Sequence, residues 1–446
     1  MKYRKLALIS LLLLFAACTE IDDRSSQENA PAKPSYNISL SDINKIDFSR
    51  MVSPQTKAGG TLLKEITPIV ESADTLLYVI NYEKDGGWIL ASADKRVPLV
   101  VARAETGRFD LQEISHHKGL SIWLDNVKAD IAYLKEHPDY VPDSSLIQPV
   151  IPTSLQTKGG GEHEGEWLQL VYTIMDVQPR YETGHMLSTH WGQYEPWNEA
   201  VPLNGNGGRC PTGSATTAVA QLAYYLHYKI GKPASSPIYA ECIDNYSAYN
   251  SNHSLIVLHS SSPYRWDYMD IDSTNTTQTG RAAVAGLMAQ IAKDLNISFY
   301  ADSTSTPSFS DIQNYLTNQS VSCHTPDNYN APIVYLCLEY GDPVLIKLTS
   351  SSLGSCFAII DGLKEYYYHY AYYYQWMPIG TYPPVEPEYP DLEHPELYEI
   401  GEGWGNIVSF DFKINWGEYG SYDDAWYSAT SNWRNYSQSQ MLYNFQ

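Results

Sequence analysis

The sequence predicts a protein of the α+β class, in which helices and strands occupy separate parts of the chain. Two runs with helical spacing of apolar residues, near 214–228 and 281–295, precede a region rich in strand-forming residues that begins near Pro343. A smaller unit with a β-hairpin and one helix precedes both. A helical half followed by a sheet half is typical of an α+β fold with a cleft between the halves.

The composition limits the partners that this chain can bind. The 446 residues are enough for two or three domains. With 29 basic and 51 acidic residues the formal net charge is -22, so the surface repels the phosphates of nucleic acids and of anionic lipids. We therefore expect no nucleic-acid partner. The cysteine spacing does not match a zinc framework, and we expect neither a metal nor a cofactor.

The first 18 residues are similar to the signal of a bacterial lipoprotein. Lys2, Arg4 and Lys5 precede the apolar run Leu6–Ala17, which is too short to span a membrane and ends in small residues before Cys18. We expect lipidation at Cys18 and a secreted protein at the bacterial outer membrane or cell surface. A periplasmic location is the alternative, and so is an ordinary secretory signal. The lipid would be the only contact with the membrane.

A flexible tether and a small α+β domain follow the signal. Residues 19–36 are polar and rich in Pro and Ser, as in flexible segments. In the domain that we predict at 37–153, strands Leu76–Tyr82 and Trp88–Ser92 flank a Gly-Gly turn. An apolar stripe from Leu120 to Leu134 then predicts a helix.

A Gly-rich, charged segment at 154–166 predicts an exposed linker to a second domain at 167–446. Proteolysis after Lys158 is one interpretation of this segment, and a plain interdomain linker is the other.

The segment "CPTGSATTAVAQLAYYLHY", Cys210 to Tyr228, reads as a tight turn that leads into an amphipathic helix. Pro211 and Gly213 mark the turn, and Thr212 or Ser214 is expected to cap the helix. A helix start of this kind lowers the pKa of a thiol and presents free N–H groups to an oxyanion. Ser214 therefore stands where a nucleophile is often held.

Five segments, in chain order, carry a resemblance to a known family. They are "LLYVINYEKDGGWILASADKRVPLVVARAETGRFD", "WGQYEPWN", "CPTGSATTAVAQL", "GDPVLIKLTSSSLGSCFAIIDG" and "NWGEYGSYDDAWY". Together they resemble the streptopain-type cysteine peptidases with their Spi-like propeptide. The resemblance implies a papain-like domain, made of a helical lobe and an antiparallel sheet lobe, and a small α+β propeptide- or inhibitor-like domain before it that blocks the cleft.

The resemblance implies that both catalytic positions are substituted. The family motif reads Thr-Gly-Cys where this chain has Ser214, and the family histidine stands five residues before the Asp of an Asp-Gly turn, which here is Cys356. A cysteine peptidase needs a thiolate and an imidazole that protonates the leaving amine. A serine needs a general base, which a cysteine supplies only if it is already ionised.

Three other site residues keep the family identity. The resemblance places Gln193 at the oxyanion hole, and Asn415 and Trp416 beside the base. Asn415 and Trp416 can equally persist because they pack the sheet. Cys210 and His190 are conceivable replacements for the missing groups, although a structural role fits both better.

A Tyr-rich insert at about 364–408 separates two family site segments, so we expect it near the cleft. Tyrosines offer large, rigid contact surfaces, which favours a binding surface. An elongated hairpin that buries its tyrosines, or a lid over the cleft, is the alternative. The candidate binding residues are Trp191, Tyr366, Tyr367, Tyr372 and Trp376.

Three functional hypotheses follow. The first is a catalytically inactive peptidase homologue that binds a peptide, protein or glycan. The second is an active peptidase, cysteine-type by family, with altered catalytic residues. The third is an inhibitor that acts on a partner peptidase through the propeptide-like domain. We favour the first, because a fold does not carry its activity once the site residues change.

Overall fold

The structure is a computed structural model that describes residues 36–45, 48, 64–140, 157–158, 166–231, 241–242, 258–259, 264–378, 398–418, 422–429 and 439–446. For Lys45 and for 157–158, 166–180, 241–242, 258–259, 366–378 and 398–409 it describes the backbone alone. We call 36–140 the first domain and 166–446 the second domain. The predicted signal with Cys18, most of the predicted tether, residues 154–156 and 159–165 of the predicted linker and residues 379–397 of the predicted insert lie outside the described residues.

The described part of the chain contains seven α-helices. They are α1 (Leu40–Lys45), α2 (Leu111–Ile114), α3 (Lys118–Glu136), α4 (Ser214–Ile230), α5 (Gln278–Asp294), α6 (Phe309–Asn318) and α7 (Ala331–Glu339). None of these helices has the length and apolarity that a membrane crossing requires.

Fourteen strands lie in the same described part. They are β1 (Lys64–Glu71), β2 (Asp74–Tyr82), β3 (Trp88–Ser92), β4 (Val100–Ala104), β5 (Thr157–Lys158), β6 (Glu166–Glu182), β7 (Glu241–Cys242), β8 (Leu258–His259), β9 (Asp327–Asn328), β10 (Val344–Ser350), β11 (Gly354–Pro378), β12 (Tyr398–Asn415), β13 (Trp426–Ser428) and β14 (Gln440–Leu442).

One antiparallel sheet runs through both domains, in the order β1-β2-β3-β4-β13-β12-β11-β10-β14-β9. The junction between the domains is the β4–β13 pair, where Ala102 lies opposite Tyr427 and Arg103 opposite Trp426. The first part of β11 pairs with β10, and its second part pairs with β6. The fold is α+β with a large antiparallel sheet, as predicted.

The predicted elements agree with the structure in position. The hairpin is β2 and β3, the stripe from Leu120 is α3, and the two predicted helices of the second domain are α4 and α5. The Tyr-rich insert extends β11 and β12, which pair with each other, and β6 lies on the other side of β11. Part of the predicted linker is a strand, because Thr157 and Lys158 pair with Leu168 and Trp167 of β6.

Alternate residues of β10 and β11 face two hydrophobic cores. Ile346, Cys356 and Ile360 belong to a core that also holds Leu120 and Trp123 of α3. Leu345, Phe357 and Ile359 belong to a second core with α4, α5 and α6. The sheet is therefore covered on one face by the first-domain helix α3 and by α7, and on the other face by α4, α5 and α6.

Candidate functional site

A glycine fixes the turn at the start of α4. Gly213 has φ of 88°, a conformation that residues with a side chain rarely adopt, and a Cβ there would lie 2.3 Å from Thr304 Oγ1. The predicted side-chain cap is wrong: no side chain caps the helix. Instead Thr212 Oγ1 hydrogen-bonds to Thr217 Oγ1 at 2.8 Å. The helix thus begins at Ser214 because Gly213 reverses the chain, not because a hydroxyl closes it.

The structure brings Ser214 and Cys356 together. The Phe357 N–H donates to Ser214 Oγ at 3.1 Å, and the adjacent Cys356 thiol donates to the Phe357 carbonyl at 3.4 Å. Cys356 is fully buried. Burial raises the pKa of the Cys356 thiol to about 12, and the nearby Glu418 carboxylate adds to the effect. The thiol is therefore protonated at neutral pH and does not act as a base.

No histidine of the described residues hydrogen-bonds to Ser214 Oγ. His116 and His117 line the same pocket as Ser214, but His117 Nδ1 lies 2.9 Å from Glu418 Oε2. The hydrogen bond to Glu418 raises the pKa of His117, which burial partly offsets. The imidazole of His117 is thus hydrogen-bonded to the Glu418 carboxylate and not to the Ser214 hydroxyl.

Asn415 is locked into a pair with a helix residue. Its Nδ2 donates to Gln221 Oε1 at 3.1 Å, and Gln221 Nε2 donates back to Asn415 Oδ1 at 3.0 Å. Gln221 Oε1 also accepts from Thr189 Oγ1 and the Trp191 N–H. All four of these side chains are buried. This network joins α4 to the sheet and fixes the Asn415 amide in one orientation.

Trp416 is a packing residue in this structure. Its indole N–H donates to Tyr427 Oη at 3.1 Å, and its backbone N–H donates to Asp423 Oδ1 at 2.8 Å. The two aromatic rings of Trp416 and Tyr427 meet edge to face, with centroids 5.4 Å apart.

The start of α3, in the first domain, lies directly on this site. A Cβ added to Gly119 would stand 2.8 Å from Trp416 Cε3 and 3.2 Å from Cys356 Sγ, so no side chain fits there. The Gly119 N–H points at Glu418 Oε1, at 3.4 Å. Glu418 therefore closes the positive end of α3 with its carboxylate, a favourable position for a negative charge.

A pocket of about 270 Å³ remains beside Ser214. The second domain contributes Gln193, Tyr194 and the loop 302–306. This loop carries the Asp302 carboxylate followed by four side-chain hydroxyls. The first domain contributes 116–118. The pocket is thus polar and composite, with walls from both domains. In the described residues, no three His, Cys, Asp or Glu side chains gather as a metal site requires.

Of the predicted binding residues, the structure describes the side chain of Trp191 alone. Trp191 is fully buried and its indole N–H donates to the Asp270 carbonyl at 2.7 Å, so its ring is part of the core and offers no surface to a ligand. The four other predicted residues lie in β11, and their side chains are outside the described residues: Tyr366, Tyr367, Tyr372 and Trp376.

His185 is a functional-site neighbour that the sequence reasoning missed. Its Nδ1 lies 2.9 Å from Asp361 Oδ1, and its Nε2 lies 3.5 Å from Asp424 Oδ1. Burial lowers the pKa of His185, but the hydrogen bond to Asp361 and the Asp424 carboxylate outweigh it and raise the pKa to about 9. This ion pair anchors the segment that leads to Gln193, since the Leu187 N–H also donates to Asp361. No local sequence motif predicts the contact of His185 with Asp361.

Comparison with known proteins identifies the family. The model of the peptidase C10 family matches residues 191–427, more than half of the chain. This chain belongs to the peptidase C10 family. A second model, the Spi protease inhibitor, matches residues 46–131. The predicted resemblance to streptopain-type peptidases with a Spi-like domain is thus confirmed.

Two relatives illustrate the likeness. Streptopain of Streptococcus pyogenes is 22% identical over 258 residues, which span 56% of this chain and 58% of streptopain. A point-mutant fragment of prointerpain A from Prevotella intermedia superposes with a TM-score of 0.51 at 16% identity, over 86% of this chain and 98% of the fragment. This likeness shows the fold: a papain-like C10 domain together with a propeptide-like domain.

We expect Gln221→Leu to lower the free energy of unfolding by about 2–4 kcal/mol, because it removes the buried acceptor of the Trp191 N–H and the Thr189 hydroxyl and both of the hydrogen bonds between Gln221 and the Asn415 amide. Chemical denaturation measures the change. Gln290→Leu is the matched control, since Gln290 is equally buried and its amide donates to Asp294. An equal loss in both variants would contradict a special role for the Asn415 network.

We expect His185→Gln to destabilise the protein by about 2 kcal/mol at pH 6 and by less as the pH rises. The folded-state pKa, about 9, is above the ordinary histidine value of 6.5, so this stabilisation is complete below pH 6.5 and is lost as the pH passes 9. Denaturation at pH 6, 8 and 10 measures the trend. His190→Gln is the control, because it removes a neighbouring imidazole, with its ring centroid 6.1 Å from that of His185, and leaves the contacts of His185 with Asp361 and Asp424 in place. A pH-independent loss in His185→Gln would contradict the ion pair.

Proposed function

We propose that this protein is a catalytically inactive homologue of the C10 peptidases that binds a peptide, protein or glycan ligand. The observation that carries the proposal is the Ser214–Cys356 pair. At the family's nucleophile position stands a hydroxyl, and at its base position stands a buried thiol whose pKa is about 12. Neither group supplies the charge or the proton transfer that peptide cleavage needs.

The surroundings do not compensate for this pair. A serine hydroxyl needs a general base, and the positive end of α4 is worth only about 0.3–1 kcal/mol toward ionising it. The Ser214 hydroxyl oxygen already accepts a hydrogen bond from the Phe357 N–H. Asn415, which the resemblance places beside the base, has its amide bound to Gln221. The residues that remain at the site are those that hold the two lobes together.

The pocket supports binding of a short polar ligand. Hydroxyl groups of Ser214 and of the loop 302–306 can exchange hydrogen bonds with a sugar or with a peptide end. Tyr194, half exposed at the pocket wall, offers an aromatic face. A volume of about 270 Å³ suits a few residues or one to two sugar rings, not a folded protein. A protein ligand would bind outside the pocket, where the extended β11–β12 pair is the candidate surface.

Two alternatives have an observation in their favour. His116 and His117 line the pocket with Ser214, so an active serine enzyme needs only a rearrangement of the first domain. The match of residues 46–131 to the Spi protease inhibitor favours an inhibitor of a partner peptidase. However, the cleft-facing start of α3 is already bound to this chain's own Glu418, so inhibition of another protein requires α3 to leave that site.

The location remains part of the proposal. The basic and apolar residues before Cys18 support a lipid-anchored protein at the bacterial outer membrane or cell surface, with the periplasm as the alternative. Such a location places the pocket within reach of peptides and glycans from outside the cell.

We expect no turnover when the purified chain meets an unfolded protein substrate, and no labelling of Ser214 or Cys356 by serine- or thiol-directed probes. Mass spectrometry of the labelled peptides reads the result, and an active C10 peptidase treated in parallel shows that the assay works. Turnover that disappears in Ser214→Ala would contradict the proposal and support the active-enzyme alternative.

The binding half of the proposal is tested by thermal shift with short peptides and with oligosaccharides. One of the two classes should raise the melting temperature of the wild type but not of Tyr194→Ala. No shift with either class would contradict ligand binding in the pocket. Loss of activity of a C10 peptidase mixed with the chain would favour the inhibitor alternative.

A further inference from the structure

We propose that the first domain is a permanent lobe of this protein and a fixed wall of its pocket, not a segment that is released after synthesis. Four features of the interface between the domains support this inference: a continuous sheet, a shared core, ion pairs across the boundary and a close fit between small residues.

The sheet does not end at the domain boundary. β4 of the first domain pairs with β13 of the second, and β13 in turn pairs with β12. Departure of the first domain would break this ladder and leave β13 as an unpaired edge that invites aggregation. The β4–β13 ladder does not involve residues 141–165, so cutting the linker leaves it intact.

The core beneath the sheet is shared as well. Trp123 of α3 meets Tyr427 of β13 edge to face, with ring centroids 4.9 Å apart, and both are buried. The same core holds Leu120 and Val127 of the first domain with Phe412 of the second. Separation would expose aromatic and aliphatic side chains on both surfaces, which opposes release.

Ion pairs fix the orientation of the two domains. Arg103 Nη2 of β4 lies 3.2 Å from Asp411 Oδ2 of β12, and the exposed fractions of these side chains are 9% and 14%. His117 and Glu418 form a second pair across the boundary. Buried pairs of this kind favour one arrangement over others.

The closest contact joins two small residues. The backbone of Gly119 lies over Cys356, and even a methyl group at Gly119 would stand 3.2 Å from the sulfur. An imidazole at 356 is larger than a thiol and would meet the same helix backbone. Gly119 and Cys356 are therefore both small enough for this close contact. The cysteine, which stands where the resemblance expects a histidine, is also the residue that allows α3 to pack against the sheet.

The start of α3, packed in this position, completes the pocket. His116, His117 and Lys118 line the pocket together with Gln193 and Tyr194. If the first domain stays, these residues belong to the binding site in the mature protein, and they add basic side chains to a lining that also holds Asp302.

The test replaces residues 160–164 with the recognition sequence of a site-specific protease, cuts the purified full chain and applies it to size-exclusion chromatography. We expect the two fragments to elute together at the volume of the uncut chain, after dilution and overnight storage. Separate elution of the fragments would overturn the proposal. The readout depends on neither turnover nor ligand binding, so its failure would leave the proposed function standing.

Matched variants test the fit at Gly119. Gly119→Ala should favour the helix by itself, since Ala is the better helix former, yet we expect it to weaken association of the cut fragments at least about tenfold. Gly184→Ala is the control, because a Cβ there would meet nothing within 4 Å. Likewise Cys356→His should weaken association and Cys356→Ala should not. Unchanged association in both Gly119→Ala and Cys356→His would refute the fit, and should these variants misfold, the cut wild-type chain decides alone.

Discussion

The fit of α3 onto Cys356 and Trp416 is the constraint on which the rest of the site depends. Because Gly119 has no side chain and Cys356 is small, the first domain packs so close to the cleft that the backbone at Gly119 lies against the Cys356 sulfur. This approach buries the thiol, and burial keeps it neutral. It also places Glu418 against the start of α3 and leaves only a small polar pocket beside Ser214. Packing and chemistry at this site thus have the same cause.

Three residues that the resemblance to streptopain-type peptidases singles out form structural contacts in this protein. Asn415 is held by Gln221, Trp416 by Tyr427 and Asp423, and Gln193 accepts the Thr212 N–H through its backbone carbonyl. These contacts tie the helical lobe to the sheet. The residues that the resemblance places at the site therefore also stabilise the fold.

The sequence predicts the regular elements well, since periodicity depends on local residues: α3, α4, α5 and the β2–β3 hairpin follow from spacing alone. The pairing of Ser214 with Cys356 follows from the resemblance. The contacts that set their chemistry do not, because they join residues far apart in the chain. Gly119 meets Cys356, Gln221 meets Asn415 and His185 meets Asp361 only through the fold. Trp191 shows the reverse error, in which an aromatic motif residue expected to bind is buried in the core.

The most direct test of the account is the reactivity of Cys356 toward iodoacetamide in the folded chain, read by peptide mass spectrometry. Cys323, which is partly exposed, is the internal reference. The account predicts that Cys356 stays unmodified at pH 8 while Cys323 reacts, and that Cys356 reacts only once the chain is unfolded. Modification of Cys356 in the folded chain at a rate similar to that of Cys323 would contradict a sealed, neutral thiol beneath α3.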